Sequence, residues 1–219
     1  MRSILISGGA GAVGSQLVPS LARDYRCIVV AREEGPSHAQ LSALPNVTLI
    51  AGDLSTAAAA EEVVRRAVEK AGPIYGVVQL VGGFAMGRVE ETSEETWRLM
   101  LELNVTTAFL VFRAIVPHLR KNGEGRIIAM SSVASTQNNP ALAAYTVGKS
   151  ALNTMVTLLA EDLHGSGITA NLLLPGSMAT GDAHATDASL LPVGEVADAV
   201  RYLLSDGAKH VNGAMLRFG

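Results

Sequence analysis

Two side chains with the spacing needed for assisted proton transfer lie in the second half of the chain. Tyr145 and Lys149 are four residues apart at the start of a segment with helical hydrophobic spacing, which places both on one face of a helix. A phenol, with an ordinary pKa of about 10, exchanges protons poorly near neutral pH, and a neighbouring ammonium lowers its pKa by stabilising the phenolate. The pattern predicts Tyr145 as a general acid, and Ser132 supplies a hydroxyl thirteen residues upstream.

A glycine-rich loop near the amino terminus predicts a phosphate-binding turn. It follows a short apolar run, precedes an amphipathic helical pattern, and reads Ser7-Gly8-Gly9-Ala10-Gly11-Ala12-Val13-Gly14. The loop fits G-x-G-x-x-G from Gly9 and G-x-x-G-x-x-G from Gly8. Backbone without Cβ can approach a pyrophosphate, whose charge the helix N-terminus stabilises. A tight turn without a ligand is the alternative, but it needs fewer glycines, so we expect Gly8, Gly11, Val13 and Gly14 to bind a dinucleotide.

The residues after the second apolar run bear on which dinucleotide would bind. An acidic side chain about 20 residues after such a loop commonly accepts hydrogen bonds from the adenosine ribose. Here the run ends in Ala31 and Arg32, and the acids Glu33 and Glu34 come later. Ala31 leaves room and Arg32 can clamp a 2′-phosphate, which favours NADP(H) over NAD(H). A solvated loop arginine is the alternative interpretation of Arg32.

The order of the secondary-structure patterns predicts a doubly wound sheet. Short runs rich in β-branched residues predict seven strands, at residues 4–7, 27–30, 47–51, 76–80, 126–130, 169–174 and 215–218. Segments with helical spacing lie between them, at residues 12–23, 57–71, 93–121, 145–164 and 194–205. This alternation predicts a parallel sheet with helices on both faces. Because no linker or repeat divides the chain, we expect one α/β domain over residues 1–219.

Residues that suit helix caps and stops support these boundaries. Ser55 or Thr56 precedes an alanine-rich run, and Ser93 precedes the longest helical segment. Glycines that suit helix ends follow three of the segments, at Gly72, Gly123 and Gly165.

Composition excludes several classes of protein. The 219 residues carry 17 Lys or Arg and 20 Asp or Glu, a net charge of −3, with one Trp, four Tyr and four Phe, which does not suit a nucleic-acid surface. The one cysteine, Cys27, lies in an apolar run and cannot form an internal disulfide, so we expect a buried thiol and a cytoplasmic protein. No run of about 18 apolar residues occurs and the start does not suit a signal peptide, so we expect no membrane partner.

Taken together, these motifs resemble the short-chain dehydrogenases/reductases, in the branch with short subunits and a Rossmann fold. Tyr145 and Lys149 match the family's Y-x-x-x-K, Ser132 matches its serine, and Asn104 matches its asparagine. The resemblance implies that Tyr145 protonates a carbonyl oxygen while hydride passes from C4 of the nicotinamide. It also implies that Ser132 orients the carbonyl, that Lys149 holds the nicotinamide ribose and lowers the pKa of Tyr145, and that Asn104 anchors a water.

The resemblance also implies cofactor contacts beyond the glycine loop. Members of the family have an acidic residue that contacts the adenine amino group. Asp53 matches this residue, and Leu54 is its packing neighbour. A P-G-x-x-x-T segment contacts the nicotinamide carboxamide in the family. Pro175, Gly176 and Thr180 match this segment. Gly82, after the fourth strand, is expected as a further cofactor-binding residue.

Two segments depart from the family pattern. The family's N-N-A-G is replaced by Gln79-Leu80-Val81-Gly82, where Gln79 is the candidate to replace the usual asparagine. This segment and the glycine loop look more like dihydropteridine-reductase-type members, which usually lack the serine that Ser132 supplies. The segment before Pro192 is short, small and polar, so we expect residues 181–191 to form a mobile or disordered lid over an open site, with His184 and Asp187 solvated.

Other conspicuous side chains are expected to serve structure. Apolar residues at helical spacing predict core or subunit contacts, namely Trp97, Met100, Leu101, Val105, Phe109 and Phe112. His118, near a helix end, is expected to interact with the negative end of the helix dipole. No histidine has the spacing of a metal site, so we expect no metal.

These features favour an NADP(H)-dependent carbonyl reductase or alcohol dehydrogenase acting on a small ketone, quinone-like or pterin-like substrate. An NAD-dependent dehydrogenase is the alternative within the family. A dinucleotide sensor without hydride chemistry is the alternative outside it, although a sensor needs none of Ser132, Tyr145 and Lys149 together. An epimerase-like protein is disfavoured because the chain has no room for its additional substrate domain. The resemblance implies a homodimer or homotetramer formed through helices 93–121 and 145–164 and the last strand.

Overall fold

Seven parallel strands form one continuous sheet. The computed structural model describes residues 1–32, 35–180 and 189–218, and the strands are β1 (Ser3–Ser7), β2 (Arg26–Ala31), β3 (Val47–Ala51), β4 (Ile74–Gln79), β5 (Gly125–Met130), β6 (Ile168–Pro175) and β7 (Met215–Phe218). Their spatial order is β3-β2-β1-β4-β5-β6-β7. Four strands, β1, β4, β5 and β6, are buried along their whole length, as expected for a parallel sheet that is covered on both faces.

Helices form a layer on each side of this sheet. They are α1 (Gly14–Leu21), α2 (Pro36–Ser42), α3 (Ala57–Ala71), α4 (Glu94–Leu101), α5 (Thr107–Asn122), α6 (Ala143–Asp162) and α7 (Val193–Leu204). Apolar side chains of α3, α5 and α6 form one core with the sheet. Those of α1, α2 and α7 form the other core. The predicted fold class, a doubly wound seven-stranded parallel sheet, is confirmed.

All of the predicted strands and helical segments are present, with ends displaced by at most two residues. The predicted caps are also present: Thr56 Oγ1 accepts a hydrogen bond from Ala59 N at 3.3 Å, and Ser93 Oγ accepts one from Thr96 N at 3.1 Å. Gly123 ends α5 in the left-handed conformation, with a φ of 74°.

One short helix was not predicted. The helix α2 has seven residues, and a helix of that length shows little periodicity in the sequence. The pair Gly35 and Pro36 is the signal that could have identified it, because glycine suits the N-cap and proline the first helical position.

The long helical segment predicted at residues 93–121 contains an irregularity. A π-helical turn, Glu102–Thr106, joins α4 to α5 without a break. The turn carries the buried Asn104. Such π-turns often occur at functional sites, because they redirect side chains that a regular helix would place elsewhere.

The same long helix has the length and composition of a membrane span. Its most apolar 18-residue window, within Glu94–Asn122, has a mean hydropathy of 1.7, and 39% of that window is buried in the fold. Core helices of globular proteins share these properties, and the apolar side of α5 packs on the sheet in the same way.

The strand order reverses between β1 and β4: the chain runs from β1 to β3 toward one edge of the sheet and from β4 to β7 toward the other. At this point Ser7 Oγ donates a hydrogen bond to Gln79 Oε1 at 2.6 Å. Gln79 thus joins the two central strands, the kind of support expected from a replacement for the family's asparagine. In doubly wound sheets, ligands bind at the carboxyl ends of the strands beside such a reversal.

Candidate active site

A cleft of about 1020 Å³ opens at the carboxyl ends of the strands. Its walls come from the segments that follow β1 to β6 and from the start of α6. Ligand pockets commonly measure roughly 300 to 1,000 Å³, so this cleft has room for a dinucleotide and a small second molecule. Most of the predicted site residues line it: Gly8, Gly11, Val13, Gly14, Arg32, Asp53, Leu54, Gly82, Ser132, Tyr145, Lys149, Gly176 and Thr180. Asn104 and Pro175 do not form part of the wall.

The glycine loop separates into residues that face the cleft and one that packs beneath it. Gly8 has a φ of 68°, a left-handed conformation that suits glycine, and it lines the cleft. Gly9 is not on the wall: a Cβ there would lie 2.8 Å from the side chain of Val29, in the core. The G-x-x-G-x-x-G version of the motif therefore describes the surface that faces a ligand.

The last glycine of the loop allows the helix to approach the turn. A Cβ at Gly14 would lie 2.4 Å from the Cα atom of Gly9, so the first turn of α1 can pack on the loop only without a side chain. This packing points the amino end of α1 into the cleft beside Gly11 and Val13. The positive end of the helix dipole is placed where a pyrophosphate would need it.

The opposite end of the cleft carries one cation and one anion. Arg32 follows β2, is exposed, and within the described part of the chain has no hydrogen bond or ion pair. The carboxylate of Asp53 accepts hydrogen bonds from the backbone N–H and the hydroxyl of Ser55. These bonds, above all that from the hydroxyl, lower the pKa of Asp53. Asp53 is therefore both a turn residue and part of the cleft wall, while Glu33 and Glu34 lie outside the described residues.

Tyr145 and Ser132 meet in the middle of the cleft. Burial raises the pKa of Tyr145, and a side-chain hydrogen bond with Ser132 partly offsets that rise. The pKa of Tyr145 is thus raised, and not lowered as Lys149 led us to expect, because burial outweighs any effect of the ammonium in the protein by itself. Tyr145 is therefore a neutral phenol near neutral pH, able to donate a proton.

Ser132 is held by the backbone that follows it. It precedes a short 3-10 helix, Val133–Thr136, and its Oγ accepts a hydrogen bond from Ala134 N at 3.2 Å. The backbone N–H occupies a lone pair of this oxygen, and the hydroxyl of Ser132 can donate its hydrogen bond into the cleft, where Tyr145 is its partner in the protein by itself.

Lys149 lies beneath the cleft surface. Its side chain is buried, and Nζ donates a hydrogen bond to the carbonyl oxygen of Met130, the last residue of β5, at 2.8 Å. Nζ is 6.0 Å from the ring centre of Tyr145. Burial lowers the pKa of Lys149 to about 8, because it disfavours the charged form.

Asn104 acts on the loop after β4. Its Oδ1 accepts a hydrogen bond from Gly83 N at 3.2 Å, and its Nδ2 donates to Gly83 O at 3.0 Å. Nδ2 also donates to Met100 O at 3.0 Å. The side chain that the resemblance assigns to holding a water is thus engaged with backbone, and it positions Gly82 and Gly83 against Lys149. A Cβ at Gly82 would lie 3.0 Å from Lys149 Nζ.

A network that the sequence analysis missed joins the 3-10 helix to α6. Ser135 Oγ donates to Ser132 O at 2.6 Å and accepts from Asn153 Nδ2 at 2.8 Å. Ser150 Oγ donates to Ser135 O at 2.8 Å. Because α6 also carries Tyr145, this network couples the positions of the two hydroxyls. Polar residues at positions 150 and 153, just beyond Lys149 on a largely apolar helix, were the available signal.

The segment after β6, which the resemblance assigns to contacts with the nicotinamide carboxamide, reaches the cleft only in part. Pro175 ends β6 beneath the surface, whereas Gly176 and Thr180 are on the wall. Ala179 N donates to Leu191 O at 2.9 Å, which ties the two sides of this segment together. Residues 181–188, including His184 and Asp187, lie outside the described residues, so the predicted lid is not tested there.

Several structural expectations are resolved by burial. Met100 and Phe112 are in the core, whereas Trp97 and Phe109 are exposed. Cys27 is buried, which raises the pKa of its thiol to about 12. In the described ranges no group of three His, Cys, Asp or Glu side chains could hold a metal ion.

The expected role of His118 is wrong. Its Nε2 accepts a hydrogen bond from Ile74 N at 3.1 Å, which requires an unprotonated nitrogen. Burial and the charge of Lys121 lower the pKa of His118. The side chain is therefore a neutral acceptor between α5 and β4, rather than a cation at the end of the helix dipole.

The cleft fits a nicotinamide dinucleotide in three respects. A side-chain-free loop at a helix N-terminus suits a pyrophosphate, Arg32 and Asp53 lie at the adenosine end, and Tyr145 and Ser132 lie where a reactive carbonyl could meet a ring. When bound, the nicotinamide accepts or supplies a hydride.

Comparisons with known proteins agree with this geometry. The short chain dehydrogenase family model matches residues 2–190. An uncharacterized oxidoreductase of Bacillus subtilis, YmfI, is 26% identical over 236 residues, which cover 98% of this chain and 96% of that protein. The 2,5-dichloro-2,5-cyclohexadiene-1,4-diol dehydrogenase LinX of Sphingobium indicum is 29% identical, with coverage of 97% and 92%.

A solved structure of an actinorhodin polyketide ketoreductase variant with NADPH has the same fold, with a TM-score of 0.91, 23% identity and coverage of 99% of this chain and 95% of that chain. The family model covers well over half of the present sequence. This chain therefore belongs to the short-chain dehydrogenase/reductase family and is an oxidoreductase that uses a nicotinamide dinucleotide and acts on small molecules.

Proposed function

We propose that this protein is an NADP(H)-dependent reductase of small carbonyl compounds, with Tyr145 as proton donor. The observation that carries the proposal is the meeting of Tyr145, Ser132 and Lys149 in a cleft whose other end presents Arg32.

The preference for NADP(H) rests on the charge at the adenosine end. Within the described residues Arg32 has no hydrogen bond or ion pair, although its charge acts on Asp53, and Ala31 next to it is too small to fill the space. An arginine in this setting can form charge-assisted hydrogen bonds to a 2′-phosphate. NAD(H), which has a hydroxyl at that position, would gain nothing comparable from the guanidinium.

The state of Tyr145 supports a role as proton donor in the direction of reduction. Since burial raises its pKa, the phenol is protonated at neutral pH and can transfer its proton to the oxygen of a carbonyl group. The hydroxyl of Ser132 donates a hydrogen bond to the same oxygen, which fixes the orientation of the carbonyl. Lys149, held near the loop that carries Gly82, would hold the nicotinamide ribose and would supply positive charge to the phenolate that remains.

The further predicted contacts complete this proposal. Gly8, Gly11, Val13 and Gly14 would bind the pyrophosphate, and Asp53 with Leu54 would border the adenine. Gly176 and Thr180 would face the carboxamide. Pro175 and Asn104 would act from beneath the wall, by shaping the backbone that contacts the cofactor.

The experiment is a titration of the protein with NADPH and NADH by nucleotide fluorescence, followed by an assay of NADPH oxidation with a panel of ketones. We expect NADPH to bind at least tenfold more tightly than NADH. Arg32→Ala should remove that difference by weakening NADPH binding and leaving NADH binding unchanged. Equal binding of the two nucleotides in the wild type would refute the cofactor preference.

Tyr145→Phe tests the assignment of the proton donor. This variant should keep NADPH binding and lose at least a hundredfold in kcat, because general acid catalysis of this kind contributes roughly 10² to 10⁴. Turnover close to the wild type would show that another group donates the proton. Cofactor binding without turnover of any ketone by the wild type would favour the dinucleotide sensor.

We also propose a cytoplasmic homodimer or homotetramer. Exposed apolar side chains on α5 and α6, including Phe109 and Leu158, are 49% and 66% accessible. Such side chains in this number suit a subunit interface through α4 to α6. Size-exclusion chromatography with light scattering should give at least twice the monomer mass, and a strict monomer would contradict this.

A further inference from the structure

An aromatic ring stands exposed beside the proposed proton donor. Phe84, in the loop after β4, contacts the ring of Tyr145 edge to face, with 5.0 Å between ring centres and an angle of 73°. Although it makes this contact, Phe84 remains 63% accessible, and Met86 is 69% accessible. Both side chains line the cleft. Large apolar side chains exposed in a binding cleft are available to cover an apolar part of a ligand.

The backbone holds this loop in place. Gly87 N donates to Ala141 O at 2.7 Å, and Ala143 N donates to Gly87 O at 3.2 Å, so the loop is joined to the start of α6. The other end of the loop is fixed where Asn104 binds Gly83. Phe84 therefore lies on a segment that is anchored on both sides, and little ordering is required when a ligand binds.

The cleft near Tyr145 is lined largely by uncharged side chains. Besides Phe84 and Met86, the lining of this end includes Leu142 and the amides Gln137 and Asn139. The cations among the described lining residues are Arg32 and Lys149. Arg32 follows β2, which is three strands away from β5, or about 14 Å at the usual strand spacing.

Lys149 is the other cation, and it is not exposed to form an ion pair with an anionic substrate. It is buried, and its ammonium is hydrogen-bonded to Met130 O. A carboxylate, sulfonate or phosphate on a substrate near Phe84 would lose water and find no exposed cation nearby among the described residues, which disfavours anionic substrates.

We propose that Phe84 forms the wall of a substrate site for neutral aromatic ketones, in which the ring of the substrate packs against Phe84 while its carbonyl oxygen meets Tyr145 and Ser132. The inference rests on the proposed reductase function and names its substrate class. Phe84 is a specificity-determining residue in this site, and Met86 and Leu142 extend the apolar surface.

Three ketoesters and ketoacids separate ring from charge. Methyl benzoylformate carries an aromatic ring and no charge, benzoylformate carries the ring and a carboxylate, and methyl pyruvate carries neither. We expect kcat/KM with NADPH to be at least tenfold higher for methyl benzoylformate than for either of the others. Calorimetric titration of the same compounds into the protein saturated with 1,4,5,6-tetrahydro-NADP, whose ring is uncharged and cannot supply a hydride, should give the same ranking of Kd.

The variant Phe84→Leu tests the ring itself. Aromatic pairs contribute an amount that corresponds to about a two- to twelvefold change in binding, so the Kd of methyl benzoylformate should rise by that factor while the Kd of methyl pyruvate changes less than twofold. Phe84→Tyr keeps the ring and should restore tight binding. Tyr202→Leu removes an aromatic ring that is 49% accessible but lies on α7, away from the cleft, and should have no effect.

The outcomes separate the two proposals. If no ketone is reduced but methyl benzoylformate still binds in a Phe84-dependent manner, the aromatic site stands and the reductase function is wrong. If ketones are reduced with no preference for the ring, or if benzoylformate binds more tightly than its methyl ester, the reductase stands and the aromatic site is overturned. An equal loss of binding for methyl benzoylformate and methyl pyruvate in Phe84→Leu would also overturn it.

Discussion

Lys149 Nζ donates its hydrogen bond to the carbonyl oxygen of Met130, 2.8 Å away, rather than to Tyr145, four residues earlier on the same helix. The motif that identifies the site from the sequence therefore contains a lysine that, in the protein by itself, is anchored to the end of β5. Its ammonium is buried, and its pKa of about 8 means that the fold disfavours the charge that the site requires.

Replacing this lysine should separate stability from activity. In Lys149→Met we expect turnover to be lost and the free energy of unfolding at pH 7 to rise by about 1 to 2 kcal/mol, because a buried charge is removed and, among the described residues, a single hydrogen bond, to Met130 O, is lost. Chemical denaturation and an NADPH oxidation assay measure the two effects. The exposed Lys70→Met is the matched control and should change stability by less than about 0.5 kcal/mol.

The pH dependence of that gain has a definite sign. Below pH 8 the folded protein carries the buried charge and bears its full cost, and between pH 8 and the ordinary lysine pKa of 10.5 the folded state releases its proton while the unfolded state keeps it. Wild-type stability should therefore approach that of Lys149→Met as the pH rises through this window. A constant difference between the two proteins would contradict the lowered pKa.

The glycine loop allows a comparison of packing with ligand approach. In Gly14→Ala the new methyl would overlap the backbone of Gly9. We therefore expect the free energy of unfolding to fall by about 1 to 3 kcal/mol and cofactor binding to weaken as well. In Gly11→Ala the one close contact of the methyl among the described residues is Gly8 O, at 3.2 Å, so stability should fall less than in Gly14→Ala while NADPH binding falls at least tenfold. Thermal unfolding and fluorescence titration report the two quantities. Normal NADPH binding by Gly11→Ala would show that the pyrophosphate does not bind against this loop.

Ser135 is expected to act on catalysis through Ser132. Ser135→Ala removes the hydroxyl that donates to Ser132 O and accepts from Asn153, so we expect kcat to fall by about three- to tenfold with an unchanged KM for NADPH. Thr136→Ala, in the same 3-10 helix, removes a hydroxyl whose one hydrogen bond among the described residues is to Val133 O, and should leave kcat unchanged. If the two variants lose activity equally, the loss reflects the stability of the turn and not the position of Ser132.

His118 should make the fold sensitive to mild acid. Since its pKa is lowered in the folded protein, the unfolded state binds the proton first as the pH falls below about 6.5, and stability is lost from there through the folded pKa. His118→Gln should show a smaller loss of stability between pH 7 and pH 5. Identical profiles for His118→Gln and the wild type would contradict the role of His118.

Local patterns in the sequence predict the elements of this protein and much of its site. The alternation of short β-branched runs with helical segments predicts the parallel sheet, since side-chain periodicity follows directly from backbone geometry. The spacing of Tyr145 and Lys149 and the glycines at positions 8, 11 and 14 predict the chemistry for the same reason, because each motif lies within a single turn or helix.

Relationships between distant segments could be decided only by the tertiary structure. The sequence does not show that Lys149 reaches Met130, that Asn104 binds Gly83, that His118 accepts a bond from Ile74, or that Phe84 stands on Tyr145. Each of these contacts joins residues that lie on different elements, and its existence depends on how helices and loops pack over the carboxyl ends of the strands. The sequence by itself determined which residues could do chemistry, and packing determined which charges are buried, which pKa values shift, and which face of the cleft is left apolar.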